Sequence, residues 1–548
     1  MTAGASAEHA AERRALTSRA GIVAAGTLVS RILGLGREVV LAGLFSRAET
    51  DAFTVAFTIP NTLRQLLAEG AVNTAVLPVL AKTREEEGEA AARRFFEAAR
   101  GLSLIVLSAV SILGVVCAPF LVELFAKGAD AVPGQHERTV LLTRWVFPYI
   151  FFMGTAALGA AALNSAKRFA VTAFAPALLN VSCIAFALAL PSLLAARGEE
   201  PVLAMAFGAL AGGALQVGAQ WPSLIRIGYF TRPRLDLAHP RVKEALRRMG
   251  PTLLGLGIYF IDVLLARRFL SELGLGPQTY FAFALRLCDF PQGIFVMAIQ
   301  TAALPSLALL AAKNDKEGLE STYAFGVRLT LFVAIGATVL FVTLAGPIVA
   351  LVFQRGQFDA HASQQTARAL VAQGLGIWMV AIVRQLVAVF FACGDTRTPV
   401  VVSFVDFCAF VLFAQVLRGP LGHVGIGLAV TGSSAVQMLL LWWRLGSHLD
   451  SLRLAEIARS AGKTLCAALA AALVAVPVAR LIGAAETRGG RIFAGGASTA
   501  TERFLAGASS AAAFVVVFFG VAHLLRSEEL STVLAAARRR RDRRSHSS

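Results

Sequence analysis

The chain is poor in charge. Only 16% of its 548 residues are Asp, Glu, Lys or Arg, where a soluble protein needs about a quarter to cover its surface. That shortage excludes the three or four soluble domains that such a length would otherwise suggest. Cysteine is sparse and unpatterned. Cys117, Cys183, Cys288, Cys393, Cys408 and Cys466 all lie in apolar stretches, with no CxxC pair and no His at metal-ligand spacing, which reads as small buried hydrophobes rather than a metal site. Catalytic signatures are missing as well: there is no HExxH, no GxSxG and no paired His–carboxylate set. Gly462-Lys463-Thr464 imitates the end of a phosphate loop, but Ile457 stands where GxxxxGK[ST] requires glycine. Gly425-Ile426-Gly427 lacks the third glycine of a dinucleotide fingerprint. The chain is therefore expected not to be an enzyme, to carry no metal and no cofactor, and to draw energy from a coupling ion, the membrane potential or consumption of its substrate. No cleavable signal peptide is expected, because the first apolar segment is long, contains charges and follows Arg13, Arg14 and Arg19.

What the chain has instead is apolar length. Hydrophobic residues make up 56% and the mean hydropathy is +0.67. The net charge is +17. Basicity joined to apolarity is unlike a nucleic-acid binder, whose cations sit on a polar surface, and fits a polytopic membrane protein with cationic loops. About fourteen stretches, running from 20–45 and 56–81 through 245–270 and 279–310 to 504–525, are long enough to cross the ~30 Å hydrocarbon layer as helices. With the N-terminus on the cytoplasmic side, the even-numbered loops should be positive. They hold Lys82, Arg84, Arg93 and Arg94, then Lys167 and Arg168, seven basic residues from Arg226 through Arg248, Lys313 and Lys316, Arg397, and Arg444 through Lys463. The run Arg538-Arg539-Arg540-Arg541-Asp542-Arg543-Arg544 falls on the same side, where it suits anionic lipid headgroups.

The sequence also matches itself at an offset of roughly 227–229 residues. Thr74-Ala75-Val76-Leu77-Pro78 returns as Thr301-Ala302-Ala303-Leu304-Pro305, and Phe125-Ala126-Lys127-Gly128 as Phe353-Gln354-Arg355-Gly356. The loop at Lys167-Arg168 with Val171 returns at Arg397 with Val400. An offset of six helices brings the chain back to the same side, so the repeats are parallel, as in carriers that rock one lobe against another. The expected architecture is all-α: a tail at 1–19, an N-lobe of six helices over 20–225, a basic linker at 226–244, a C-lobe of six helices over 245–445, two further helices within 446–525, and a basic tail at 526–548.

A few charges fall inside these spans. The first contains Arg31, Gly34, Gly36, Arg37 and Glu38, with Asp51 just beyond it; the second contains Arg64 and Glu69; the eighth contains Arg286 and Asp289 before Pro291. An ionised group at the bilayer centre costs about 2.5–3.5 kcal/mol on insertion scales, so such residues face a wet interior and mark a pathway. A guanidinium stays charged and grips phosphate oxygens with a two-pronged fork, which makes Arg31, Arg37, Arg64 and Arg286 the candidate ligands of a diphosphate. Glu38, Asp51, Glu69 and Asp289 are candidate counter-ions that exchange partners as a carrier opens and closes; static ion pairs between helices are the competing reading. Gly34 and Gly36 are candidate hinges.

These same residues carry a resemblance. Ser30-Arg31-Ile32-Leu33-Gly34 with Arg37, Thr50-Asp51-Ala52-Phe53, the string from Pro60 to Gly70 and Leu77-Pro78 resemble the start of the MurJ (MviN) family, lipid II flippases of the multidrug/oligosaccharidyl-lipid/polysaccharide exporter superfamily. Further similarity runs in order through Phe147-Pro148-Tyr149, Phe174–Asn180, Gly250-Pro251, Arg286 with Phe290-Pro291, Leu304-Pro305-Ser306, Phe353–Phe358 and Thr396–Pro399.

The resemblance implies a bacterial inner-membrane protein with both termini cytoplasmic and a central cationic cavity. It would move the undecaprenyl-diphosphate-linked peptidoglycan precursor to the outer leaflet, with Arg31, Arg37, Asp51, Arg64 and Arg286 at matching functional positions. It implies that the last two helices line a groove for the polyprenyl tail, and it admits cell-wall synthesis proteins, but not nucleic acid, as partners. Two positions depart from the family pattern: Glu38 stands where Asp is frequent, and Leu285 stands where Asp often precedes the arginine. A flippase for another oligosaccharide-lipid and a cation-coupled drug exporter of the same superfamily are the alternatives.

Overall fold

A computed structural model describes the backbone of residues 2–66, 72, 75–483 and 500–532, and the side chains within those ranges from residue 21 onward, except 251–256, 258 and 259. Glu69, Thr74 and the basic run 538–544 lie outside the described residues. Among the described residues the chain is helical and contains no strand. It forms two compact units, Met1–Gln278 and Thr279–Ser548.

The first unit begins with α1 (Thr2–Leu44), so the polar start of the chain continues directly into the first span. α2 (Arg47–Arg64) opens on a capping box in which Ser46 and Glu49 satisfy each other's backbone N–H. There follow α3 (Leu77–Glu87), α4 (Glu89–Val116), α5 (Ala118–Ala126), α6 (Gln135–Val146), α7 (Tyr149–Ser165), α8 (Phe169–Ala189), α9 (Pro191–Ala196), α10 (Leu203–Arg226) and α11 (Pro240–Ser271). α8 and α10 meet through Gly208 and Gly212, four residues apart. A Cβ on either would come within 2.7 Å of a backbone Cα of α8, at Cys183 and Leu179 respectively. This is the small-xxx-small contact by which membrane helices gain packing where no hydrophobic drive acts between them.

The expected seventh span, 245–270, is α11, and it packs with the first unit. Arg268 donates to the Leu124 carbonyl at 2.7 Å, and the Gly128 N–H donates to the Ser271 hydroxyl at 3.2 Å. A Cβ on Gly128 would sit 1.9 Å from the Ser271 carbonyl oxygen, so that approach requires glycine. At the start of α11, Arg241 is clasped by Glu86, Glu87 and Glu244. Its ion-paired hydrogen bonds, first to Glu87, then Glu244 and Glu86, hold the guanidinium above its ordinary value and join the basic linker to the end of α3.

The second unit contains α12 (Pro277–Pro291), α13 (Met297–Ala312), α14 (Lys316–Phe353), α15 (Ala360–Gly374), α16 (Ile377–Ala392), α17 (Arg397–Leu421), α18 (His423–Leu445), α19 (Leu454–Gly483) and α20 (Ala500–Leu524). Its core gathers Tyr323, Leu331, Leu386, Phe390, Leu441 and Leu445. The indole N–H of Trp442 donates to the buried Tyr323 hydroxyl at 2.8 Å, which satisfies a polar group that hydrocarbon would strand.

The repeat seen in the sequence has a backbone counterpart. Wide i→i+5 turns occur at Gln65, Leu66, Val72, Ala75 and Val76 after α2, and again over Gln292–Val296 after α12. Such turns are rare, and they cluster at functional sites. α4 ends at Val116, and α14 carries a non-helical kink at Leu344. Both lie a few residues before a proline, Pro119 and Pro347, which removes a helix hydrogen bond and crowds the preceding turn.

Eleven helices among the described residues are long and apolar enough to cross a membrane. Of the fourteen spans expected from sequence, 20–45, 56–81 and 245–270 are not among the eleven. Each carries charge within it: Arg31 and Arg37, Arg64, and Asp262 with Arg267 and Arg268 toward the end of the third. The span 56–81 also runs through residues outside the described ones, so for these three spans the count of fourteen rests on the sequence alone.

Candidate functional site: charged residues within the spans

Arg37 is the most enclosed of the candidate cations, 5% exposed. α1 brings it there by lying along α8, where Asn180 donates to the Ser30 carbonyl at 3.0 Å. The helix runs unbroken through Gly34 and Gly36. Added Cβ atoms at those glycines would meet Asn180 and Ile184 at 3.7 and 3.8 Å, ordinary contact distances, so in this conformation both glycines serve as a smooth surface against α8. Arg37 donates to Glu38 at 2.7 Å and lies over the Phe57 ring, 5.1 Å from its centroid. Its Nε is buried with no hydrogen-bond partner. A cation so placed is neutralised by one carboxylate and one aromatic face and retains a donor for an incoming acceptor.

The Phe57 ring ties Arg37 to α2. Phe57, Asn61 and Arg64 follow at i, i+4 and i+7 and share one face of that helix. Arg64 donates from Nε to the Asn61 side-chain oxygen at 3.0 Å, which orients the guanidinium at the last turn of α2. Seven residues of helix separate the Phe57 and Arg64 positions by ~10 Å. The structure thus sets Arg37 and Arg64 toward one side of α2. Arg31, half-buried, lies two turns before Glu38 on the same face of α1.

Asp51 is 3% exposed and accepts from the backbone N–H of Gly276, just beyond α11. It therefore joins the start of α2 to the segment that follows the seventh expected span. Arg286 and Asp289 lie in the second unit on α12, three residues apart and so on one face. Arg286 is exposed, and so is its neighbour Leu285.

Several charged residues in the spans escaped the sequence reading. On α11, Arg267 is 8% exposed and makes two 3.3 Å contacts to Gln278, whose side chain donates back to the Arg267 carbonyl at 2.6 Å; Asp262 lies five residues earlier. On α16, Arg384 points Nη1 at the sulfur of Met297, 3.1 Å away, and its Nε is buried without a partner. Asp406 sits within α17, with one carboxyl oxygen buried and unpartnered. For Arg384 and Asp406 the sign was available, a lone ionised residue within an otherwise apolar run; Arg267 adjoins Arg268 near the end of α11. Among the described residues no group of His, Cys, Asp and Glu could hold a metal ion.

Two units built on one repeat, helices long enough to span a bilayer, and cations set inside those spans define a multi-pass membrane transporter. A likeness in fold agrees. The structure superimposes on the lipid II flippase MurJ in an inward closed conformation with a TM-score of 0.74, at 20% identity, over 92% of this chain and 98% of that one. It also superimposes on an inward-facing multidrug resistance MATE family transporter of the MOP superfamily, with a TM-score of 0.65 at 15% identity over 77% and 95% of the two chains. The sequence decides between them. The family model described as "Lipid II flippase MurJ" matches residues 41–486, and the chain belongs to that family. The lipid II flippase MurJ of Burkholderia cenocepacia is 32% identical over 76% of this chain and 81% of its own length. A probable lipid II flippase MurJ of Bdellovibrio bacteriovorus is 31% identical over 95% and 97%.

Proposed function

We propose that this chain is a lipid II flippase of the bacterial inner membrane. It carries the polyprenyl-diphosphate-linked peptidoglycan precursor from the inner to the outer leaflet and makes or breaks no covalent bond. The observation that carries the reading is the buried guanidinium of Arg37 on the helix of a MurJ family member, held by a single carboxylate and facing the helix that ends in Arg64. A diphosphate is the anion that suits such forks, since each guanidinium binds two oxygens at once. An exporter of organic cations would need acidic or aromatic lining in its place.

In this mechanism Arg37, Arg64 and Arg286 bind the diphosphate, while Arg31, Glu38, Asp51, Glu69 and Asp289 exchange partners as access alternates. Asp51 would act as a latch of this type, giving up the Gly276 N–H as α2 parts from the segment after α11. The polyprenyl tail stays in lipid along α19 and α20. The basic loops and both termini face the cytoplasm, and anionic headgroups receive the tail beyond residue 532. The inside-negative potential assists return of the empty cationic carrier, at ~2.3 kcal/mol per charge per 100 mV.

The test is depletion of the protein in its own cells, followed by identification of the lipid-linked precursor that accumulates on the inner leaflet. The undecaprenyl-linked disaccharide-peptide is the expected product. Accumulation of an O-antigen-type intermediate would assign the chain to another oligosaccharide-lipid.

A further inference from the structure

Two arginines at matching places in the repeat have different partners. In the second unit Arg328 on α14 is 8% exposed and is bound by Glu456, Glu528 and Glu529, so the fold supplies its own counter-charge. At an offset of 228 residues the first unit carries Arg100 on α4. Its Nη1 donates to the Thr231 carbonyl at 2.7 Å, and its guanidinium lies 5.5 Å from the Phe230 ring centroid. Among the described residues no carboxylate forms an ion pair with it, Glu97 one turn earlier on α4 included. A cation on a membrane helix is left with a carbonyl and a ring, and without an anion.

Arg100 lines a crevice between α4, α7 and α10. Ser103 lines it from α4, Thr155 and Gly159 from α7, and Gln220 and Trp221 from α10. Gln220 is 2% exposed, and its side-chain oxygen is buried with no hydrogen-bond partner. That oxygen lies over Gly159, where a Cβ would come within 2.5 Å of it, so the glycine makes the room. A buried acceptor left without a donor costs about 1–3 kcal/mol and marks a missing partner. The crevice is narrow, about 20 Å³, which is room for one water-sized group. It lies at the end of a span: Thr231, which Arg100 holds, is five residues beyond α10. There Trp221 and Phe230 meet edge to face at 5.5 Å, and both rings are exposed. Exposed aromatic rings beside a cation at a helix end are the pattern of the headgroup layer.

We propose that the mouth of this crevice binds the headgroup of a resident anionic phospholipid that carries a free hydroxyl, as phosphatidylglycerol does. The phosphate accepts from the Arg100 guanidinium, and the terminal hydroxyl enters the crevice and donates to Gln220. Basic pockets between membrane helices take such headgroups. A choline headgroup has no donor for Gln220 and is too large for a water-sized space. An ethanolamine headgroup has the donor but brings a second cation beside Arg100. The site is separate from the arginines assigned to the lipid-linked precursor, and the proposal does not depend on which precursor is carried.

The test places a photo-crosslinking amino acid at Ile225, 58% exposed and one turn from Trp221, with Leu412 of α17, 61% exposed, as the control position. The full chain is reconstituted in phosphatidylcholine vesicles containing equal minor amounts of phosphatidylglycerol and phosphatidylmethanol, an anionic diester without a hydroxyl. The lipid in each adduct is then identified by mass spectrometry. At Ile225 phosphatidylglycerol should be enriched over phosphatidylcholine by about fivefold, the effect of one cation on an anionic headgroup, and should exceed phosphatidylmethanol. At Leu412 the adducts should follow the vesicle composition. Arg100→Gln should abolish the enrichment of both anionic lipids. Gln220→Leu should lower phosphatidylglycerol to the level of phosphatidylmethanol while the unfolding midpoint holds or rises, because an unpaired buried group is replaced by an apolar one of similar size. That variant covers the case in which Arg100→Gln fails to fold. Equal yields of the two anionic lipids in the parent chain would mean that water fills the crevice and would overturn the proposal. So would enrichment that survives Arg100→Gln, since the exposed Arg226 beside Ile225 would then be its source.

Discussion

At the scale of residues, Arg37 and Glu38 form a buried ion pair to which the proposed function assigns a second role, and substitution can separate the two. Removing one member of a buried ion pair leaves the other uncompensated and costs about 3–5 kcal/mol. Arg37→Ala should therefore lower both the thermal unfolding midpoint and transport. The double variant Arg37→Ala/Glu38→Ala should recover most of the midpoint and none of the transport, because the pair is gone but so is the phosphate ligand. Arg37→Lys keeps the charge and loses the fork; its unfolding midpoint should stay near that of the parent chain while transport falls. Thermal unfolding in detergent beside leaflet-resolved transport checks all three. Arg37, Glu38 and Asp51 were legible because charge stands out in an apolar span. Arg384 and Asp406 carry the same signal and were passed over, since each stands apart from the motif-dense start of the chain. The pairing of Asp51 with the Gly276 N–H was not legible, because a backbone donor 225 residues away leaves no mark in side-chain pattern.

At the scale of elements, the close contact of α8 and α10 depends on Gly208 and Gly212. Gly212→Leu would drive a side chain into the backbone of Leu179, so the first unit should lose about 1–3 kcal/mol, read as a lower unfolding midpoint. Gly218, with nothing within 4 Å of an added Cβ, should accept Ala without loss. The attachment of the segment after α20 has its own pH dependence. Burial pushes the Glu529 carboxyl up, but its own backbone N–H, Ser527, Ser460 and Arg328 together hold it below the usual carboxylate range. A carboxylate lowered in this way stabilises the fold above its unfolded value of about 4.3; that contribution is lost as pH falls through the folded value. Hydrogen exchange over 527–532 should be steady near neutrality and accelerate in acid, and Glu529→Gln should remove that acid step. Spans were the most legible elements, since eleven of those expected are long apolar helices. The other three, 20–45, 56–81 and 245–270, are interrupted by charge and are not among those eleven.

At the scale of the molecule, the parallel repeat was readable as three short matches in order, and the backbone extends it to paired wide turns and paired breaks before proline. The division of the chain was less readable. The offset of the repeat counts α11 with the second lobe, yet it packs with the first unit through Leu124 and Gly128, and the segment just after it through Asp51, because contacts made after folding need not respect the repeat that produced the helices. Orientation is a molecular property too. The proposed orientation, with both termini on the cytoplasmic side, rests on basic residues concentrated in alternate loops, and a cysteine-accessibility map should then find Lys167 and Arg397 positions labelled only from inside.

The central claim is that arginines set inside the spans grip the diphosphate of lipid II. Its most direct test is the amount of lipid II in the outer leaflet of cells depleted of their own flippase and supplied with this chain or with Arg286→Ala, a variant altered at an exposed position. The account predicts that the chain restores outer-leaflet lipid II, and that Arg286→Ala, present at equal abundance and with an unchanged unfolding midpoint, leaves it at the level of depleted cells. Restoration by Arg286→Ala to the level of the parent chain would contradict it.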